Sequence, residues 1–129
     1  MGGFITKALS RLFRNDKSNK ILFVGLANAG KSTFLNKLEL SEPMIPIGYN
    51  VEMFLFKNFI FTSFDSGVND KYSKYLELFY KGTHGIIFVV DSSDKEKMNN
   101  GSVSIELHKM LENPELKNVP VLVLANKQD

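Results

Sequence analysis

Apolar positions along this chain follow two rhythms. Lys20-Ile21-Leu22-Phe23-Val24-Gly25, Gly85–Asp91 (GIIFVVD) and Val119–Ala125 are short continuous runs, the pattern of strands buried on both faces. Asn50–Phe56 alternates in part, and Phe59–Phe64 follows after Lys57-Asn58, which predicts two strands joined as a hairpin by a tight turn. Helical spacing instead links Phe34, Leu35, Leu38 and Leu40, and later Ile105, Leu107, Met110 and Leu111. Asp70–Tyr80 is aromatic and mixed and reads as an irregular helix, while Ser41–Gly48, with Pro43 and Pro46, reads as a loop. A loop is also expected after Asp91. The start of the helix beyond it is obscured, because Asn99-Asn100-Gly101-Ser102 are poor helix formers. Pro114 falls in the loop that follows. Strands alternating with helices predict an α/β fold with a mostly parallel sheet covered on both faces. Such a sheet binds ligands at the carboxyl ends of its strands.

The first strand and first helix are joined by Gly25-Leu26-Ala27-Asn28-Ala29-Gly30-Lys31-Ser32-Thr33. This fits G-x-x-x-x-G-K-[ST], the loop that wraps the phosphates of a nucleotide. Successive backbone N–H groups face the anion, glycines at both ends permit the turn, and the helix N-terminus adds its own donors and dipole. Lys31 would lie on the β- and γ-phosphates, Ser32 would ligate Mg²⁺, and Thr33 would reach toward the α-phosphate. The competing view is a plain glycine-containing turn between strand and helix. Asp65-Ser66-Gly67 ends the strand after the hairpin, where a carboxylate meets a metal-bound water. Asn126-Lys127-Gln128-Asp129 follows the last strand. All three stretches are therefore expected on one edge of the sheet.

Composition narrows the classes. The 129 residues contain no cysteine, which excludes disulfide frameworks, cysteine zinc sites and thiol catalysis. His84 and His108 are too few for a histidine metal cluster. No apolar run approaches a membrane span and no secretory signal is evident, so a cytoplasmic protein is expected. The net charge of +2 is uneven: five basic residues against one acidic residue in 1–20 leave +4 there, and eleven against thirteen leave −2 elsewhere. A basic tail on an acidic body argues against a nucleic-acid surface and for an anionic membrane. Residues 4–14 set Phe4, Ile5, Ala8, Leu9, Leu12 and Phe13 on one side of a helical wheel and Lys7, Arg11 and Arg14 on the other. Met1-Gly2-Gly3-Phe4-Ile5-Thr6 fits the motif for myristoylation of Gly2. One acyl chain binds a bilayer only marginally, and a basic amphipathic helix supplies the second signal. The alternative is a helix packed on its own domain. Two units result: an anchor and linker over 1–19, and a nucleotide-binding domain over 20–129.

GLANAGKST, IGYNVE, the Asp65-x-Gly67 turn, GIIFVVDSSD and NKQD, in that order, resemble the Arf/Arl family of small GTPases. The resemblance implies the three-layer P-loop NTPase fold, bound GTP or GDP with Mg²⁺, and contacts along the loop from Ala27 through Asn28, Ala29 and Gly30 to Thr33, with Gly67 beside them. It implies that Asp129 accepts from guanine N1–H and N2–H₂, that Asn126 reaches N7, and that the stem of Lys127 covers the ring. It further implies a monomeric switch in vesicle traffic at the Golgi or other endomembranes, served by an exchange factor, a GTPase-activating protein and effectors. Tyr49, Phe64 and Phe79 would form the aromatic effector surface, with core packing as the alternative. The family fold continues past NKxD with a further loop, strand and helix, so the last strand and helix are expected to be lacking here.

The chain departs from the family pattern around the γ-phosphate. The loop has Ala27 in place of an acidic residue, and Pro46 stands where a threonine would ligate Mg²⁺. Val68 replaces the second glycine of D-x-G-G-Q, and Asn69 replaces the water-orienting glutamine. Lys31 and Asn69 are thus the catalytic positions, and Asn69 is a degenerate one. Impaired hydrolysis is expected, with a non-hydrolysing GDP-binding or nucleotide-free interaction module as the alternative. A P-loop kinase or ATPase is disfavoured by the guanine-reading NKQD.

Overall fold

The computed structural model describes residues 19–26, 31, 45–48, 51–56, 58–66 and 74–126. Its framework is β1 (Asn19–Leu26), flanked on one side by β4 (Phe59–Ser66) and on the other by β5 (Gly85–Asp91). Strands β2 (Ile45–Gly48) and β3 (Val51–Phe56) extend the sheet beyond β4, and β6 (Val121–Asn126) lies outside β5. The order is β2-β3-β4-β1-β5-β6, with β4, β1, β5 and β6 mutually parallel. The chain leaves β1 toward β4 and later crosses to β5 on the other side. β1 therefore marks the topological switch point, where open α/β sheets hold their ligands.

The continuous apolar runs follow from burial of both faces. On one face Leu22, Val24, Phe64, Ile86, Phe88 and Val90 form a core with Leu76, Tyr80, Met110 and Leu116. Helix α2 (Ser102–Leu111) covers this face with Val103, Leu107 and Met110. On the other face Ile21, Phe23, Phe54, Phe61, Ile87 and Val89 are equally buried. There Phe54 and Phe61 are opposite each other in the β3–β4 register and stack at 4.7 Å, with Phe23 edge-on to both. Such cross-strand aromatic pairs hold a hairpin in register.

The expected hairpin forms as β3 and β4, with Phe56 paired to Phe59 across the turn. Three local readings change. Ser41–Gly48 is not wholly loop, because Ile45–Gly48 pairs antiparallel with β3 and its register shifts between Pro46 and Gly48. An edge strand is the place in a sheet where a residue without N–H is tolerated. The expected loop after Asp91 contains the short helix α1 (Lys95–Asn99). Gly101, at φ 82°, then turns the chain, and the Asn100 Oδ1 accepts from the Ser102 N–H at 2.9 Å and from its hydroxyl at 2.6 Å. The poor helix formers thus end one helix and start the next. The irregular helix is described from residue 74 and tightens into a 3₁₀ turn at Glu77–Phe79. Another such turn, Pro114–Leu116, is capped by the Asn113 side chain accepting from the Glu115 N–H.

The amino-terminal segment 1–18 and the helix expected over Phe34, Leu35, Leu38 and Leu40 lie outside the described residues. Within them, no helix is long and apolar enough to cross a membrane.

Candidate functional site

Of the sequence-predicted site residues that the structure describes, Asp65 and Asn126 fall at the strand ends on the edge where β1 finishes. Gly25 is level with Asp65 of β4 and with Val89 of β5. Asn126, whose backbone ends β6, is level with Asp91 at the end of β5. It lies two strands from β1, about 10 Å at the usual strand spacing. A ligand lying across the strand ends could reach both points.

Lys31 is helical and 7% exposed. Its ammonium donates to the Gly25 carbonyl at 3.1 Å and the Leu26 carbonyl at 3.4 Å, and it forms an ion pair with the Asp65 carboxylate. The two carbonyls are the last of β1, so the lysine side chain returns to the end of the strand that precedes it. A buried ammonium is tolerable only with such partners. Asp65, with its side chain 38% exposed, is the partner on the solvent side.

Gly25 has a reason beyond turn geometry. A Cβ built there would lie 2.5 Å from the Val89 carbonyl oxygen. The glycine lets β1 and β5 approach where the loop begins. Two further features of the strand ends were not foreseen in the sequence. The Asp91 carboxylate is engaged locally, accepting from the Ser93 N–H and hydroxyl, an arrangement that the Asp-Ser-Ser run could have signalled. At the opposite edge, His84 Nδ1 accepts from the Lys20 N–H at 2.9 Å and Lys20 Nζ donates to the Lys81 carbonyl at 3.0 Å. That pairing clamps the starts of β1 and β5.

The aromatic surface needs correction. Phe64 is 2% exposed and stacks on Tyr80 within the core; β4 is buried on both faces, so that side chain has no route to solvent. Phe79 is half-buried and edge-on to Tyr75. Tyr49 lies outside the described residues, as do Ala27, Asn28, Ala29, Gly30, Ser32, Thr33, Gly67, Asn69, Lys127 and Asp129.

The donor set suits a phosphate and its cation: one buried ammonium for the anion and one partly exposed carboxylate for the metal, side by side at the strand ends. Among the described residues, no group of three His, Cys, Asp or Glu side chains could hold a metal alone.

Strand order, loop position and the Lys31–Asp65 pair define a P-loop NTPase domain of the small GTPase kind. The family model described as "ADP-ribosylation factor family" matches residues 5–129. ADP-ribosylation factor K of Dictyostelium discoideum is 45% identical over 121 residues, 92% of this chain and 63% of that protein. A solved structure described as an ADP-ribosylation factor-like GTP-binding protein, the small COPII coat GTPase SAR1 of Encephalitozoon cuniculi in complex with GDP, superposes with a TM-score of 0.74 at 27% identity. It covers 98% of this chain and 55% of that one. The chain belongs to the ADP-ribosylation factor family. It spans a little over half to about three-fifths of the length of these relatives.

Proposed function

We propose that this protein is a guanine-nucleotide-binding switch of the Arf type, recruited to membranes in vesicle traffic, with weak GTP hydrolysis. The observation that carries the reading is the Lys31 ammonium, buried at the carboxyl end of the central strand beside Asp65, in a chain of this family. The related SAR1 structure is described as a complex with GDP. Lys31 would hold the β- and γ-phosphates, Ser32 and Asp65 the Mg²⁺, and Asn126, Lys127 and Asp129 the base. Magnesium would supply neutralisation of phosphate charge. A two-unit arrangement follows, in which Gly2 and residues 4–14 anchor a domain over 20–129 at an endomembrane such as the Golgi. Exchange factor, GTPase-activating protein and effectors would act on the domain.

Weak hydrolysis rests on Pro46, Val68 and Asn69. Pro46 lies in β2, paired with β3, and carries no hydroxyl for a metal. Asn69 is one methylene shorter than glutamine, so its amide falls short of the attacking water by about one bond length; misplacement of that order costs roughly 100-fold. The same observation about Pro46 favours a second reading, a GDP-binding interaction module that does not turn over. Guanine nucleotide should co-purify with the protein and be lost in Lys31→Met, and a single GTP turnover should be slower than in an ordinary family member. Bound adenine nucleotide would refute the guanine reading, and an ordinary turnover rate would refute the impairment.

A further inference from the structure

The break between the two helices carries reactive groups that the nucleotide site does not use. Asn100 follows α1, its N–H bonded to the Glu96 carbonyl at 2.9 Å, and Gly101 precedes α2, its carbonyl accepting from the Ile105 N–H at 2.8 Å. Between these fixed points the Asn100 side chain turns forward along the chain. Its Oδ1 accepts from both donors of Ser102, the N–H at 2.9 Å and the hydroxyl at 2.6 Å, which closes a ring around the Gly101 peptide. That ring contains an amide carbon, Asn100 Cγ, and a peptide nitrogen whose own residue has no side chain. The surroundings are open. Asn100 is exposed, and among the described residues the nearest atom to a Cβ built on Gly101 is Ile105 Cδ1, at 3.8 Å. We infer that Asn100 is a site of self-deamidation through the Gly101 nitrogen, with Ser102 supplying the donors for the oxyanion.

The chemistry needs only water. Solvent hydroxide takes the Gly101 amide proton, the nitrogen bonds to Asn100 Cγ, and negative charge builds on Oδ1, where the two Ser102 donors already point. The bond from Cγ to the side-chain nitrogen then breaks, ammonia leaves, and a cyclic imide remains. Water opens the imide at either carbonyl to give aspartate or isoaspartate, and nothing is oxidised or reduced. Asn113 is a natural control. Its Oδ1 also accepts from the N–H two residues on, that of Glu115, but the intervening Pro114 has no amide proton to lose. The two products differ in their effect on the fold. Aspartate keeps both Ser102 donors and adds negative charge at the favourable end of α2. Isoaspartate adds a carbon to the backbone and shortens the side chain, so the turn opens and α2 loses its start. Because α2 covers the core with Val103, Leu107 and Met110, the conversion is a slow covalent clock on that cover, independent of the nucleotide reading.

The test holds the full chain in mildly alkaline heavy-oxygen water, either folded or unfolded in urea, and follows each asparagine by peptide mapping with electron-transfer fragmentation. In the folded chain Asn100 should convert to aspartate and isoaspartate with uptake of heavy oxygen, while Asn113 keeps its amide. Ser102→Ala removes one of the two donors and should slow the folded chain's conversion about fivefold, with no slowing in urea. Circular dichroism checks that this variant is folded. The isolated isoaspartate form should melt below the parent, and Asn100→Asp should not. If Asn100 stays intact in the folded chain while it converts in urea, the fold protects the residue and the inference is overturned. Folded Ser102→Ala converting as fast as the parent, or slowed equally in urea, would overturn the oxyanion role. An isoaspartate form that melts with the parent would overturn the clock on α2.

Discussion

Gly25→Ala is the most incisive single perturbation of the frame beneath the site. The new methyl carbon would start 2.5 Å from the Val89 carbonyl oxygen, and ordinary van der Waals contact begins at 3.4 Å, so β1 and β5 must separate locally by 0.9 Å. Backbone hydrogen bonds near 2.9 Å would stretch to about 3.8 Å, beyond the range in which they hold. One or two ladder bonds would be lost at about 1 kcal/mol each, on top of roughly 1–3 kcal/mol for overpacking. The expected loss is about 2–5 kcal/mol. For a domain of this size that lowers the melting temperature by about 8–20 °C. The Gly25 carbonyl is also an acceptor for Lys31, so the strain falls on the proposed phosphate site. Gly82→Ala is the comparison, because Gly82 has φ +77° and nothing within 4 Å of a built Cβ. Its cost is conformational alone, roughly 1–2 kcal/mol. Thermal unfolding followed by circular dichroism would decide between them. If Gly25→Ala melts no lower than Gly82→Ala, the two strands spread freely and the close-approach argument is wrong.

Two further outcomes follow from the core. Burial, then the nearby carboxylates of Glu77 and Glu106, push the Tyr80 phenol up to about 12 from an ordinary 10. The folded state holds that proton more tightly, so the stabilisation is complete below about pH 10 and is lost as pH rises through about 12, a change of roughly 3 kcal/mol. Urea unfolding at about pH 9 and about pH 11 should show a smaller decline in Tyr80→Phe than in the parent, and equal declines would refute the assignment. The Thr62 hydroxyl is buried in β4 with no hydrogen-bond partner among the described residues. Thr62→Val should therefore raise stability by about 1 kcal/mol, and a loss of similar size on unfolding would reveal a partner for that oxygen.

What could be read in the sequence depended on whether a residue's role is local. Gly85–Asp91 was legible to the residue, because a strand buried on both faces has no polar position to blur its ends. The motif at Gly25–Thr33 located Lys31, and strand polarity brought Asp65 and Asn126 to its edge. Non-local facts were hidden. Pro46 reads as a loop residue, and only the presence of β3 beside it makes an edge strand. Phe64 was expected at the surface because nothing in an apolar run tells which ring is enclosed. Asn100-Gly101-Ser102 signals weak helix locally, whereas the left-handed Gly101 at the N-cap and the Asn100 side chain accepting from the Ser102 N–H form the start of α2. The need for Gly25 lies in the Val89 carbonyl, 64 positions later in the chain.

The length and polarity of β1 set a distance that would matter if the proposed amino-terminal anchor held the protein at a bilayer. The strand begins at Asn19, which residues 1–18 precede in sequence, and its eight residues end at Leu26, next to the proposed phosphate-binding motif in sequence. At strand rise that is about 25 Å, and the His84 clamp fixes the starting end. With β1 upright on an amino-terminal anchor, the nucleotide site would stand roughly three screening lengths above the lipid headgroups, since the Debye length is about 8 Å in physiological salt. The negative potential of an anionic leaflet has decayed by that height. On the proposed function the strand would act as an insulating stalk: lipid charge could recruit the protein without repelling a bound nucleotide's phosphates.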